Sequence, residues 1–209
     1  MTNWRPIGVR IAPKASPPES RALIEEGAYL FVDFLYTEPI LTNRWHRLTV
    51  DQRLVLDLSA AHAPVLIELR QPIETWQENP SLHPPEATLI GRVQVLNTGR
   101  RSIPVLITAD PDRTVAHIRL GASTSTVSVK VATGVVFEVA GLAGHGGDSL
   151  HGHLAGIWIL GLPRQSAGVG LFRALGLTGP PIGIGATDRR LEEDPSLPVP
   201  RIGDPEHVH

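Results

Sequence analysis

Arg53-Leu54-Val55-Leu56-Asp57-Leu58, followed by Val65-Leu66-Ile67-Glu68-Leu69-Arg70, decides the fold class of this chain. In the first run every even position is leucine, and the odd positions include Arg53 and Asp57. In the second the odd positions are apolar, with Glu68 and Arg70 between them. A period of two fits a strand, whose successive side chains face opposite sides, and does not fit a helix of 3.6 residues per turn. One dry face and one wet face is the habit of an antiparallel sheet.

The alternation recurs on either side. It returns in Thr126-Val127-Ser128-Val129-Lys130-Val131 and in Val135-Val136-Phe137-Glu138-Val139. Tyr29-Leu30-Phe31-Val32-Asp33-Phe34-Leu35 is apolar on both faces, which predicts a central strand. One helix start is signalled: Ser16-Pro17-Pro18-Glu19 offers an N-cap, a proline at the first helical position and a glutamate at the third. A short helix over 17–26 follows, with Gly27 as its left-handed cap.

Set side by side, the strands form an internal repeat. The first copy runs Gly8-Val9-Arg10-Ile11, Tyr29–Leu35, a connection with Pro39-Ile40-Leu41, Leu54–Leu58 and Val65–Leu69. The second runs Pro104-Val105-Leu106-Ile107, Val115–Leu120, Thr126–Val131, Val135–Val139 and Ile157–Leu160. A lone unit of about 60 residues buries too little surface to be robust, whereas two copies can seal their apolar faces together. The expected fold is therefore mainly β: two tandem small antiparallel sheet units packed as a pseudo-dimer, with one short N-terminal helix. The expected boundaries are 1–87 for the first unit with its helix, 88–162 for the second, and 163–209 for an extended tail. Pro and Gly make up fourteen of the 47 residues in that tail, a composition of loosely structured segments.

Val105-Leu106-Ile107-Thr108-Ala109-Asp110-Pro111-Asp112, Ala116-His117-Ile118-Arg119-Leu120, Gly134–Val139 and Leu154-Ala155-Gly156-Ile157-Trp158-Ile159-Leu160-Gly161 together resemble the YuzE-type small bacterial domain. The first copy is similar but looser, and the resemblance covers about half the chain. Two departures stand out: Trp158 replaces a glutamate usual in that family, and Gly141–Gly152 interrupts the last hairpin. The family has no established catalytic residues, so the resemblance carries over no site; it implies a small regulatory or interaction protein.

Composition narrows the function classes. Of 209 residues, 42% are hydrophobic and 19% charged, with a net charge of −2 and no cysteine. Wholesale disorder, thiolate metal sites and cysteine nucleophiles are excluded. Arginine outnumbers lysine 17 to 2, but the arginines are scattered and form no basic stripe, so nucleic acid is not the expected partner. No apolar run approaches the roughly 20 residues of a membrane helix, and Met1–Pro6 lacks a charged-then-apolar leader, so the expectation is a cytoplasmic protein without a membrane partner.

The densest polar group is His145-Gly146-Gly147-Asp148-Ser149-Leu150-His151-Gly152-His153. His151 and His153 are two apart, so in a strand their rings share a face. His145 and Asp148 complete a possible set for a divalent metal such as zinc, imidazole and carboxylate being ordinary ligands. Two readings stay open. The first is a non-catalytic interaction protein, with no catalytic residues or organic cofactor, binding another protein or itself through its sheet or tail. The alternative is a metal-binding module or metal-dependent enzyme using His145, Asp148, His151 and His153.

Overall fold

The computed structural model describes residues 5–24, 29–37, 46–121, 125–144 and 148–163. The chain divides into two units, Met1–Thr178 and Gly179–His209, and every described residue lies in the first. Of the tail expected over 163–209, all but Pro163 falls outside the described residues, as do Gly27 and Pro39-Ile40-Leu41.

The first strands are β1 (Ile7–Ala12), β2 (Glu19–Ile24), β3 (Leu30–Leu35), β4 (His46–Thr49), β5 (Leu54–Leu58) and β6 (Pro64–Leu69). After a 3₁₀ turn at Ile73–Thr75 come β7 (Gln77–Glu78), β8 (Leu89–Ile90), β9 (Arg92–Val95) and β10 (Gly99–Arg100). The last five are β11 (Val105–Ala109), β12 (Val115–Leu120), β13 (Thr126–Ala132), β14 (Val135–Gly144) and β15 (Leu150–Leu160). The chain is thus mainly β. No helix among the described residues is long and apolar enough to cross a membrane.

Two open sheets result. One has the order β10-β4-β5-β6-β3-β2; the other has β7-β11-β12-β15-β14-β13-β8, with β1 beside β15 and β9 beside β1. Both are mixed, because the two-residue strands β7, β8 and β10 run parallel to their neighbours. Tyr29–Leu35 becomes an interior strand, β3, with β2 and β6 on its two sides.

The two sheets share a strand order, and it does not begin where the sequence reading placed the first copy. β2-β3-β6-β5-β4-β10 and β11-β12-β15-β14-β13-β8 follow the same path: a hairpin, a three-strand meander whose last strand docks on the hairpin, and a short parallel strand at the far edge. Each contains a Greek-key order of four strands. The counterpart of β11 is β2, not the Gly8–Ile11 strand. β1 joins the other sheet instead, pairing Ile7 with Leu154 and Ile11 with Leu150.

The expected helix over 17–26 is not formed; Glu19–Ile24 is strand β2. A helix of that length is marginal in water whatever its cap. The extended form pairs all six residues with β3, from Glu19↔Leu35 to Ile24↔Leu30. It also gains contacts to the β13–β14 turn: the Thr133 amide donates to Pro18 O at 3.1 Å, and the Ser20 hydroxyl donates to Thr133 O. That turn places Gly134 at φ +81°, a left-handed conformation that suits glycine.

The alternation read from the sequence marks the inward leucines, although β5 is buried on both faces, with Val55 and Asp57 covered as well. Leu54, Leu56 and Leu58, with Leu30, Val32, Ile67 and Leu69, share one buried cluster with Ile118, Val129, Phe137, Ile157 and Ile159 of the other sheet. β15 keeps both of its halves in that core by one extra residue. Leu154 pairs with Val139 and Gly156 with Glu138, so Ala155 is a bulge and both Leu154 and Ile157 stay buried.

Candidate functional site

The interrupted hairpin extends the sheet. Gly141–Gly144 belong to β14 and Leu150–Gly152 to β15. His151 and His153 fall on one face of β15, opposite Arg10 and Gly8 of β1, as their spacing requires. Asp148 is strongly exposed and its carboxylate is paired with Lys14 Nζ at 2.8 Å. His145 lies outside the described residues. Among the described residues no group of three or more His, Cys, Asp or Glu is placed to hold a metal. The cross-strand neighbour of His151 is a guanidinium, and the nearest charge on Asp148 is an ammonium; both oppose a cation there.

The larger feature beside that loop is a cleft of about 800 Å³. One wall is β1 and β9, with Arg10, Ala12, Arg92, Val93 and Gln94; the other is Tyr36, just past β3, and the β5–β6 turn with Ser59, Ala60, Ala61 and Ala63. Ala15, Asp148 and Ser149 complete it. Most of its surface is apolar, with a few polar groups, the usual make-up of a ligand site.

Register builds the polar wall. β1 and β9 pair Arg10 with Gln94 and Ala12 with Arg92, on the face opposite the buried Val9 and Ile11. Arg10 Nε donates to Gln94 Oε1 at 2.7 Å, and a second guanidinium nitrogen donates to the same oxygen. Gln94 Nε2 in turn donates to Ala61 O at 2.9 Å, tying β9 to the opposite wall. Arg92 lies 6.0 Å from the Tyr36 ring centroid, and its Nε donates to Ser16 O at 2.8 Å. The Tyr36 hydroxyl donates to Pro64 O at 2.8 Å. Burial pushes this phenol up to about 12, against the opposing pull of Arg92. It therefore keeps its proton across the physiological range and serves as a wall, not as an acid or base. Ser59 is buried, and its hydroxyl accepts from the Ala63 amide within the turn.

A second polar group sits on the outward face of the other half of β15. Glu138 of β14 reaches across Gly156, with its Oε2 3.1 Å from His117 Nε2. Trp158 Nε1 donates to its Oε1 at 2.9 Å. The His117 and Trp158 rings stack at 4.1 Å with an 11° tilt. The hydrogen bond to His117 does most to hold the Glu138 carboxyl below its ordinary value; burial opposes, and Trp158 and Arg119 add to the lowering. Trp158 is 6% exposed, packed with Leu82 and Val136, so it is a packing residue and not part of an open contact surface. The carboxylate has both oxygens engaged.

Neither group is legible as a unit in the sequence. His117, Glu138 and Trp158 are each visible as members of alternating strands, and only the register joins them. Arg10 stands out as the one polar side chain in Gly8-Val9-Arg10-Ile11, but its partner Gln94 is 84 residues away. No protein-family model matches the chain, and a comparison with curated proteins gives no match.

Proposed function

We propose that this chain is a non-catalytic cytoplasmic binding protein, a fused pair of repeated sheet units packed as a pseudo-dimer. Its partner is another protein, and an extended segment of that protein lies in the cleft beside β1 and β9. The observation that carries this reading is how the cleft's polar groups are used. Tyr36, Gln94 and Ser59 hold the walls in place and Gln94 orients Arg10, as a pre-formed receptor requires, and no proton-transfer pair is left among them. The β1–β9 ladder covers four residue pairs, Val9↔Val95 to Ala12↔Arg92. At about 3.3 Å per residue that is roughly 13 Å of extended chain. The shared strand order supports the pseudo-dimer, and the YuzE-type likeness enters as the pattern of those same strands.

The test is a random-peptide display selection on the full chain, repeated with Ala12→Trp. Ala12 is exposed on the β1 wall, so an indole there fills the cleft without touching the core. Peptides that bind the parent and lose binding to A12W support the proposal; peptides indifferent to A12W refute it.

A second reading rests on the shared face of His151 and His153. In it these two, with His145 and Asp148, hold a divalent metal. Stoichiometric zinc in untagged protein, lost in the H151A/H153A variant, would establish that reading; metal-free protein that still binds peptide would dismiss it.

A further inference from the structure

We propose that the cleft's occupant is acidic, and that Arg10 receives one carboxylate side chain from it. This rests on the cleft being the binding site, as argued above.

The argument starts from Arg10. It stands on the exposed face of β1, between Gln94 of β9 and His151 of β15. Both of its hydrogen bonds go to a single neutral acceptor, Gln94 Oε1. That acceptor cannot swing away, because the other end of the same amide is bonded to Ala61 O. A guanidinium has five N–H donors, and Gln94 uses two. The remaining three keep a full positive charge in a fixed orientation, and no carboxylate among the described residues forms an ion pair with them. A planar fork held this way is suited to a carboxylate, which gains a charge-assisted bond without the entropy of ordering a loose arginine.

The described surroundings offer Arg10 no counter-charge. Arg92 is two residues along β9 from Gln94 and lines the same wall. The one described acidic residue in the cleft, Asp148, is paired with Lys14, so among the described residues no carboxylate of the cleft is left to neutralise Arg10. Tyr36 stays neutral and repels no anion. The alanines opposite, Ala60, Ala61 and Ala63, leave room for the apolar parts of a peptide and supply no competing charge. A basic or neutral segment would strand the Arg10 charge against methyl groups; an acidic one matches it.

The display selection decides the point when it is run on the parent chain, Arg10→Gln, Arg10→Lys and Ala12→Trp. The parent is expected to enrich peptides with Asp or Glu at one recurring position. The leading peptide should bind R10Q about tenfold more weakly, the scale of one charge-assisted contact, with R10K in between. The same peptide with Gln for Glu should bind the parent and R10Q alike. Neutral or basic peptides that ignore R10Q yet are blocked by A12W would overturn the acidic assignment and leave the cleft in place. Binding that survives A12W, or a selection that yields no binders, would overturn both. Matching thermal unfolding of R10Q and the parent checks that the exposed substitution leaves the fold intact.

Discussion

The two sheets place a carboxylate at the same point of a shared strand order and use it in opposite ways. The registers align one outward row, Arg21–Asp33–Leu66–Asp57–Arg47, with Leu106–Arg119–Gly156–Glu138–Ser128. In the first, Leu66 fills the position between Asp33 and Asp57. Each aspartate then turns toward the sheet edge: Asp57 forms a two-pronged pair with Arg47 at 2.7 and 3.0 Å, and Asp33 pairs with Arg21 at 3.1 Å. In the second, Gly156 leaves that position empty. Glu138 leans inward over it to His117 and Trp158, which occupy the next row. The lesson is that the size of one neighbouring side chain, leucine or nothing, directs a buried charge outward to an arginine or inward to a ring pair.

The largest effect is expected from giving one half the other's residue. Gly156→Leu would put a Cβ inside contact distance of the Glu138 carboxylate and 3.1 Å from His117 Nε2. The carboxylate must leave both partners, so a loss of about 3 kcal/mol is expected from overpacking and broken hydrogen bonds. A urea midpoint lowered at unchanged slope would show it, and a loss below about 1 kcal/mol would break the comparison. In the first half, Asp57→Ala removes a carboxylate that is only 5% exposed and deprives Arg47 of its two-pronged partner. About 2 kcal/mol is expected, read the same way.

Glu138→Gln keeps the shape and removes the charge, at about 1 kcal/mol at neutral pH. Its sharper signature is in acid. The folded Glu138 carboxyl lies below its ordinary 4.5, so the unfolded chain takes up that proton first as pH falls. The stabilisation is complete above the ordinary value and is lost as pH drops through the depressed one. The parent minus E138Q difference should therefore shrink below about pH 4.5, and a difference that grows in acid would contradict the assignment. Subtracting the variant removes the similar contribution of Asp110. Burial alone would raise that carboxyl, but hydrogen bonds from Val115 and Thr114 hold it down. The smallest effect is expected from Arg21→Ala, under about 0.5 kcal/mol in thermal unfolding, because its pair with Asp33 is largely solvated.

Particular residues show how far the sequence could be read. The alternation in Val65–Leu69 marked the inward Ile67 and Leu69. Leu54–Leu58, however, has no wet face: Val55 and Asp57 are buried too, because the register sets Arg47 beside Asp57. Ser16–Glu19 misled, because a capping signal is worth about 1 kcal/mol and six strand pairs outweigh it. The same shortfall shifted the repeat by one strand. With β2 read as helix, the first copy could begin only at Gly8, which in fact completes the other sheet. His151 and His153 were rightly placed on one face, but the arginine opposite them belongs to a segment about 140 residues away.

By itself, then, the sequence determined a mainly β chain and the inward positions of its longer strands. These follow from side-chain periodicity, which is local. The tertiary structure alone decided that β1 caps β15, that Gln94 presents Arg10 at a cleft, and that Glu138 meets His117 and Trp158. Those depend on register between distant strands, and a step of one residue there exchanges every inward side chain for an outward one.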